Sequence, residues 1–272
     1  MDKFLIVLAI LVIGVALRSC QSLILRKLGA LTFLAASFLS LFFLCGSICA
    51  GLIGAGLWFM LPWLDLLLRI RKMRLPLNNR LMLSRAPSED HFPNASRLIR
   101  EIEALEYDHV MDSGWDWAGM QQYFRFFWNP ETKSVAAVCL CEQERVAFAF
   151  VTISSRAPDG RSIHTTNYPF SPTLKEAPKS NWDHLPCERN NFEAITKDHL
   201  RHINKLGLEP SDLLMPDPDE LLEQVESEMQ KQLDHNAESG LITMTGDGHF
   251  RYSTKGLFFL WFQSVKDMIR LC

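Results

Sequence analysis

The amino-acid sequence predicts an α+β protein: two or three N-terminal transmembrane helices followed by a soluble domain with a four-stranded antiparallel meander, flanking helices and a C-terminal hairpin. Three observations carry this. No formal charge occurs in the 37 residues from Leu28 to Leu64, and a bilayer core takes about 20 apolar residues per spanning helix. Between Met120 and Asn167 the chain is rich in aromatic and β-branched residues, alternates in places and is punctuated by turn residues, as strands are. Around Ala95, Phe192 and Leu221 apolar residues recur at every third or fourth position, which is the helical period.

The first apolar segment, Phe4 to Leu17, is short for a span. Arg18 stands where a signal-peptidase site wants a small residue, so an uncleaved anchor is expected. The anchor covers residues 1–74, with spans near 4–25 and 29–68, and the second stretch is long enough to fold as a helical hairpin turning near Cys45 to Gly51. If it is one span instead, Trp58, Pro62 and Trp63 fall at the headgroup level, where aromatic rings collect. Arg18, Arg26 and Lys27 flank the first connector, and Arg69, Arg71, Lys72, Arg74 and Arg80 follow the run with Asp65 the only nearby acid. Positive charge beside span ends marks the cytoplasmic side. The expected location is therefore the cell membrane, multi-pass, with the C-terminal domain cytoplasmic. Gly46, Ala50 and Gly54 repeat at the small-residue spacing that lets membrane helices approach closely, either in a homodimer or within the chain's own hairpin.

Residues 75–93 hold Pro76, Asn78, Asn79, Pro87 and Pro93 and read as a neck. Residues 94–167 read as a helix capped by Asn94, with Ala95, Leu98, Ile99, Ile102 and Leu105 on its apolar face, followed by the meander. In the strand starting at Val146, the large Phe148 and Phe150 face one way and the small Ala147, Ala149 and Val151 the other. A helix is expected against the small side. Prolines 169, 172, 178 and 186 make residues 168–190 an extended arm without regular structure. Residues 191–272 then supply two helices, a hairpin and an apolar C-terminal segment. The first helix runs from Asn191 to Leu206 and is closed by Gly207. The second starts with Asp217 as cap and Pro218 in the first turn. Its apolar face is Leu221, Leu222, Val225, Met229 and Leu233, and its other face is acidic. The hairpin covers 240–256, turning at Gly246-Asp247-Gly248. Leu257 to Phe262 is an apolar run that either docks in the core or returns to the interface beside Trp58 and Trp63.

Charge excludes one function class. Residues 1–80 carry nine Lys+Arg against two Asp+Glu, leaving 19 basic and 29 acidic residues beyond them. So acidic a domain is a poor partner for nucleic acid. The hairpin resembles the wing of a winged-helix domain, yet residues 209–238 before it hold ten acidic groups against Lys231 alone. The resemblance therefore implies a protein-binding rather than a DNA-reading role. A helix leading into an antiparallel meander also resembles the start of acyl-CoA-dependent transferases, but their phosphate-binding glycine turn is missing. The seven cysteines, at 20, 45, 49, 139, 141, 187 and 272, form no C-x-x-C pair, and Cys139 and Cys141 read as small hydrophobes in a strand.

Candidate sites are few. His199 and His202 share a helix face and are the candidate metal pair, with Asp198, Cys187 and His184 as possible third donors. Ser154, Ser155, Cys187, His164 and His109 supply nucleophile and base atoms without a G-x-S-x-G elbow. Asp108, Asp112 and Asp116 are spaced for a carboxylate cluster or a solvated loop. No catalytic, cofactor-binding or cofactor assignment follows. The function expected is a membrane-held interaction or sensing module, its partners the lipid bilayer and a cytosolic or membrane protein. The alternatives are a membrane-anchored transferase or hydrolase and a tethered winged-helix-like regulator.

Overall fold

The computed structural model describes residues 2–270 apart from positions 21, 78, 79, 83, 85–87, 89, 90, 118, 119, 144, 145 and 187. The neck residues Asn78, Asn79 and Pro87 and the candidate nucleophile Cys187 lie outside the described residues, as does the side chain of Asp116. The chain forms two compact units: Met1–Met73 with Phe170–Thr173 and Arg251–Cys272, and Arg74–Pro169 with Leu174–Phe250.

The first unit is helical. Helices α1 (Asp2–Arg18), α2 (Leu23–Cys45) and α3 (Ile48–Leu68) pack in sequence. The long apolar run is thus broken in two, and Gly46 breaks it: at φ 67° it holds the left-handed conformation of a helix C-cap, and its N–H closes on the Phe42 carbonyl. Ile24–Cys45 and Ile48–Lys72 are each long and apolar enough to cross a membrane. Of the small residues, Gly54 of the predicted spacing and the neighbouring Gly51 face α2. A side chain at Gly54 would strike the Ser37 carbonyl oxygen of α2, and one at Gly51 would strike the Phe38 ring at 2.6 Å. The apolar C-terminal segment is a helix, α7 (Thr254–Arg270), which packs on α3.

In the second unit a six-stranded sheet runs in sequence order: β2 (Asp108–Trp117), β3 (Met120–Asn129), β4 (Ser134–Gln143), β5 (Val146–Arg156), β6 (Ser162–Thr166) and β7 (Ser180–His184). The predicted meander is its centre, β3 to β6, all antiparallel, and one strand is added at each edge. The stretch carrying Asp108 and Asp112 is therefore a strand, not a solvated loop. The proline-rich arm likewise contains β7, which pairs parallel to β6 between Pro178 and Pro186. Prolines bracket this strand without entering it, which an edge position tolerates.

Helices α4 (Ala95–Glu103) and α5 (Phe192–Lys205) cover one sheet face. As expected, it is the face of Ala147, Ala149 and Val151, and the core there includes Leu98, Ile102, Phe127, Ile153, Phe192 and Ile195. Asn191 caps α5 by accepting from the Ala194 N–H at 3.0 Å. Two predicted caps differ. Asn94 sits at φ 66° and makes no side-chain cap. Helix α6 (Leu221–Glu238) begins after the predicted Asp217 cap, whose carboxylate instead accepts from the Asp219 N–H in a local turn. Cys139 and Cys141 are buried strand residues, and burial pushes both thiols up, Cys141 to about 12. Beside the main sheet, β1 (Leu75–Pro76), β9 (His249–Tyr252) and β8 (Ile242–Thr245) form a smaller one in which β9 is central.

Candidate functional site

The sheet face opposite α4 and α5 carries a cleft with two adjoining chambers that share Arg156, Leu214, Gln224 and Glu228. The inner chamber, of about 140 Å³, is mostly apolar, lined by Phe126 of β3, Val135 and Ala137 of β4, Leu214 to Pro216, and Leu221 and Val225 of α6. The outer one, of about 370 Å³, is polar, with Arg161, Ser162, Ser227 and Lys231 on its walls. The wall formed by Leu214 to Pro216 is pinned at its base. The Leu214 N–H bonds the Arg156 carbonyl at 2.8 Å, and the Lys133 ammonium donates to the carbonyls of Ser211 and Leu213.

Strand alternation places Ser154 and Arg156 of β5 on this face, and the β5–β6 register sets His164 directly opposite Ser154. Ser154 Oγ and His164 Nδ1 are 2.9 Å apart. Arg156 reaches Glu228 of α6 at 2.9 Å. Glu228 Oε2 stands 3.6 Å from His164 Nε2, a buried nitrogen that has no hydrogen-bond partner among the described residues. Trp182 of β7 stacks on the outer face of the ring, with centroids 4.3 Å apart. Burial, then the Arg156 charge and His202, push His164 down to about 3. The imidazole is therefore neutral at physiological pH. Burial raises the Glu228 carboxyl against the opposing pull of Arg156.

A Ser, a His and a Glu in a row invite comparison with a hydrolytic triad, but the chemistry available differs. So depressed a histidine is a weak general base. Strand β5 is central, so backbone N–H groups around Ser154 are spent in the ladders to β4 and β6, which leaves no ready pair of donors for an oxyanion. What the residues do supply is an apolar chamber ending in a donor, Arg156, and an acceptor, Glu228, both only partly exposed. That is the composition of a ligand site.

The other sequence candidates take structural places. His199 is buried, with Ser155 Oγ 3.1 Å from Nε2 and Thr165 Oγ1 2.9 Å from Nδ1. Both ring nitrogens are occupied, and a metal ligand needs one free lone pair. His199 thus has no ring nitrogen left over for a metal, and two of the third donors considered are engaged as well: Asp198 by Arg189 and Arg201, and His184 by Glu176 at 2.9 Å. Among the described residues no three His, Cys, Asp or Glu side chains form a ligand set. His109 bonds Asp112, whose carboxylate also takes Nε and a terminal nitrogen of Arg125 at 2.8 and 3.1 Å. Burial works against ionisation of Asp112, but these bonds outweigh it and hold its pKa below the usual value.

Sequence reasoning paired neither Arg156 with Glu228 nor His164 with Ser154. One signal was present. Glu228 falls seven residues after Leu221 and three after Val225, on the apolar stripe of α6 rather than its acidic back. A carboxylate in that position needs a buried partner. Comparison with protein families, with curated proteins and with solved structures finds no match for this chain.

Proposed function

We propose that the protein is an integral membrane protein, crossing the bilayer through α2 and α3 with α1 as a further span, and that its α+β unit is a cytoplasmic sensing or interaction module. One observation supports the membrane reading above the rest. Only 17% of the most apolar window of each of the two long helices is buried, whereas the apolar core helix of a water-soluble protein would be mostly covered. Leu44, Leu52, Leu64 and Leu68 present bare side chains along α2 and α3, which water would penalise and lipid would not. The basic cluster from Arg69 to Arg74 favours the cytoplasmic side for the unit that follows.

In this reading the cleft beneath α6 is where the module recognises its ligand or partner, with an apolar group in the inner chamber and a polar one against the Arg156–Glu228 pair. The test is a thermal-shift screen of the full chain in lipid nanodiscs against nucleotides, acyl compounds and cytosolic peptides. A ligand that raises the melting temperature by several degrees should lose that effect in Val225→Trp, which fills the inner chamber. A shift that survives this substitution would place recognition elsewhere. Covalent labelling of Ser154 by a fluorophosphonate would instead favour the hydrolase alternative.

A further inference from the structure

Helix α7 has a buried apolar surface and a largely exposed one, and Phe258 lies on the border between them. Leu257, Leu260 and the side chain of Gln263 are buried. Trp261 stacks on Trp63 of α3 with centroids 6.3 Å apart, and its indole N–H donates to the Phe59 carbonyl at 2.8 Å. Phe258 meets the edge of Trp63 at 4.9 Å. The second surface is largely exposed. Phe258 and Phe262 are 55% and 53% exposed, and Ile269 is exposed further along. At about 100° per residue these three and Val265 fall within roughly 60° of arc.

The exposed stripe has a charged border, and polar contacts hold the helix that carries it. Lys255, Lys266 and Arg270 lie along one edge, and the Lys266 ammonium sits 4.6 Å from the Phe262 ring centre. The helix's single acid, Asp267, is committed elsewhere: it accepts from the Ser171 N–H at 3.0 Å and from its hydroxyl at 2.6 Å. At the far end Arg18 donates to the Met268 carbonyl at 2.8 Å, tying α7 to the basic end of α1. The stripe is also continuous, through Trp63, with the exposed leucines of α3.

We propose that α7 is an in-plane interfacial helix, its Phe258, Phe262, Val265 and Ile269 stripe set in the headgroup–acyl boundary of a leaflet whose anionic headgroups meet Lys255, Lys266 and Arg270. This rests on the membrane reading of α2 and α3. The pattern is what an interfacial helix requires: aromatic anchors on one side, basic residues beside them, and acid removed from the lipid face. Helix α7 would then give its own unit a further point of attachment to the membrane.

The test is site-directed spin labelling of the full, cysteine-free chain in nanodiscs, with nitroxides at position 258 or 262 and a reference label at Leu64 on α3. In discs containing anionic lipid, labels at 258 and 262 should be relaxed by oxygen and shielded from a water-soluble nickel chelate. The oxygen-to-nickel ratio should fall several-fold in purely zwitterionic discs. Free access of the nickel chelate to both labels would overturn the proposal, as would protection from both reagents, which would mean a protein surface covers the stripe. A ratio indifferent to headgroup charge would remove the role given to the lysines. The Leu64 label separates the two readings: if it stays in lipid while 258 and 262 are in water, only the placement of α7 fails, and if it too is reached by nickel, the membrane reading fails with it.

Discussion

Residues first: two buried histidines are the side chains most dependent on their surroundings. His164 and His199 are both pushed from the usual 6.5 down to about 3, chiefly by burial. Since the folded protein binds these protons less readily than the unfolded chain, stability is full above pH 6.5 and is lost as the pH falls toward 3. Each histidine contributes a slope of about 1.4 kcal/mol per pH unit inside that window. Stability of the full chain, read from thermal or denaturant unfolding between pH 7.5 and 4.5, should fall steeply below about pH 6, and His199→Gln should remove up to half of that histidine-driven slope. An unchanged slope would mean His199 is not held neutral. Ser155 and Thr165 make this possible, because each fills one ring nitrogen and a neutral imidazole can be satisfied by one donor and one acceptor.

At the scale of elements, the α2–α3 hairpin depends on where its glycines lie. Gly54 faces the backbone of Ser37, whereas Gly56, two residues on, has nothing within 4 Å of where a Cβ would be. Backbone cannot swing aside as a flexible side chain can. Gly54→Leu should therefore destabilise the helix pair by about 1–3 kcal/mol, the usual range for overpacking, while Gly56→Leu should leave it nearly unchanged. Helix dichroism during thermal unfolding in detergent reads the difference, and equal effects would show that the close approach at Gly54 is not needed. The same logic applies to β5, where small residues lie under α4 and α5 and large ones face the other way. The side chosen for the helices follows from residue size alone.

For the whole molecule, orientation is a matter of charge distribution. On the proposed membrane reading, the basic residues at 69, 71, 72 and 74 form the largest cluster beside a span end, and the positive-inside rule lets such a cluster set topology. Replacing all four with Gln should invert or mix the orientation of the chain. The measurement is labelling, in intact cells, of single cysteines placed at Gly46 and at Asp247: the parent should label from outside at 46 only, and the four-fold variant should gain labelling at 247. Labelling of 247 in the parent would put the α+β unit on the outer side.

Much of this architecture was legible because it rests on local rules. An uncharged run shuns water, and alternating large and small residues dictate which face of β5 a helix can cover, whereas the break of that run at Gly46 was one of two readings its length allowed. The edge strands were not legible. Asp108–Trp117 is interrupted by acids and Gly114, Ser180–His184 stands between prolines, and neither has the apolar alternation of a strand. They are strands because β3 and β6 offer them unpaired N–H and C=O groups. The cleft depends on contacts still further apart in the chain: His164 reaches Ser154 through strand register, and Glu228 meets Arg156 only when α6 lies over β5. The sequence by itself determined which segments shun water and which face of each turns inward, since solvation and periodicity act over a few residues. Only the tertiary structure decided which polar groups meet, because a buried charge is matched by whatever partner the fold carries to it.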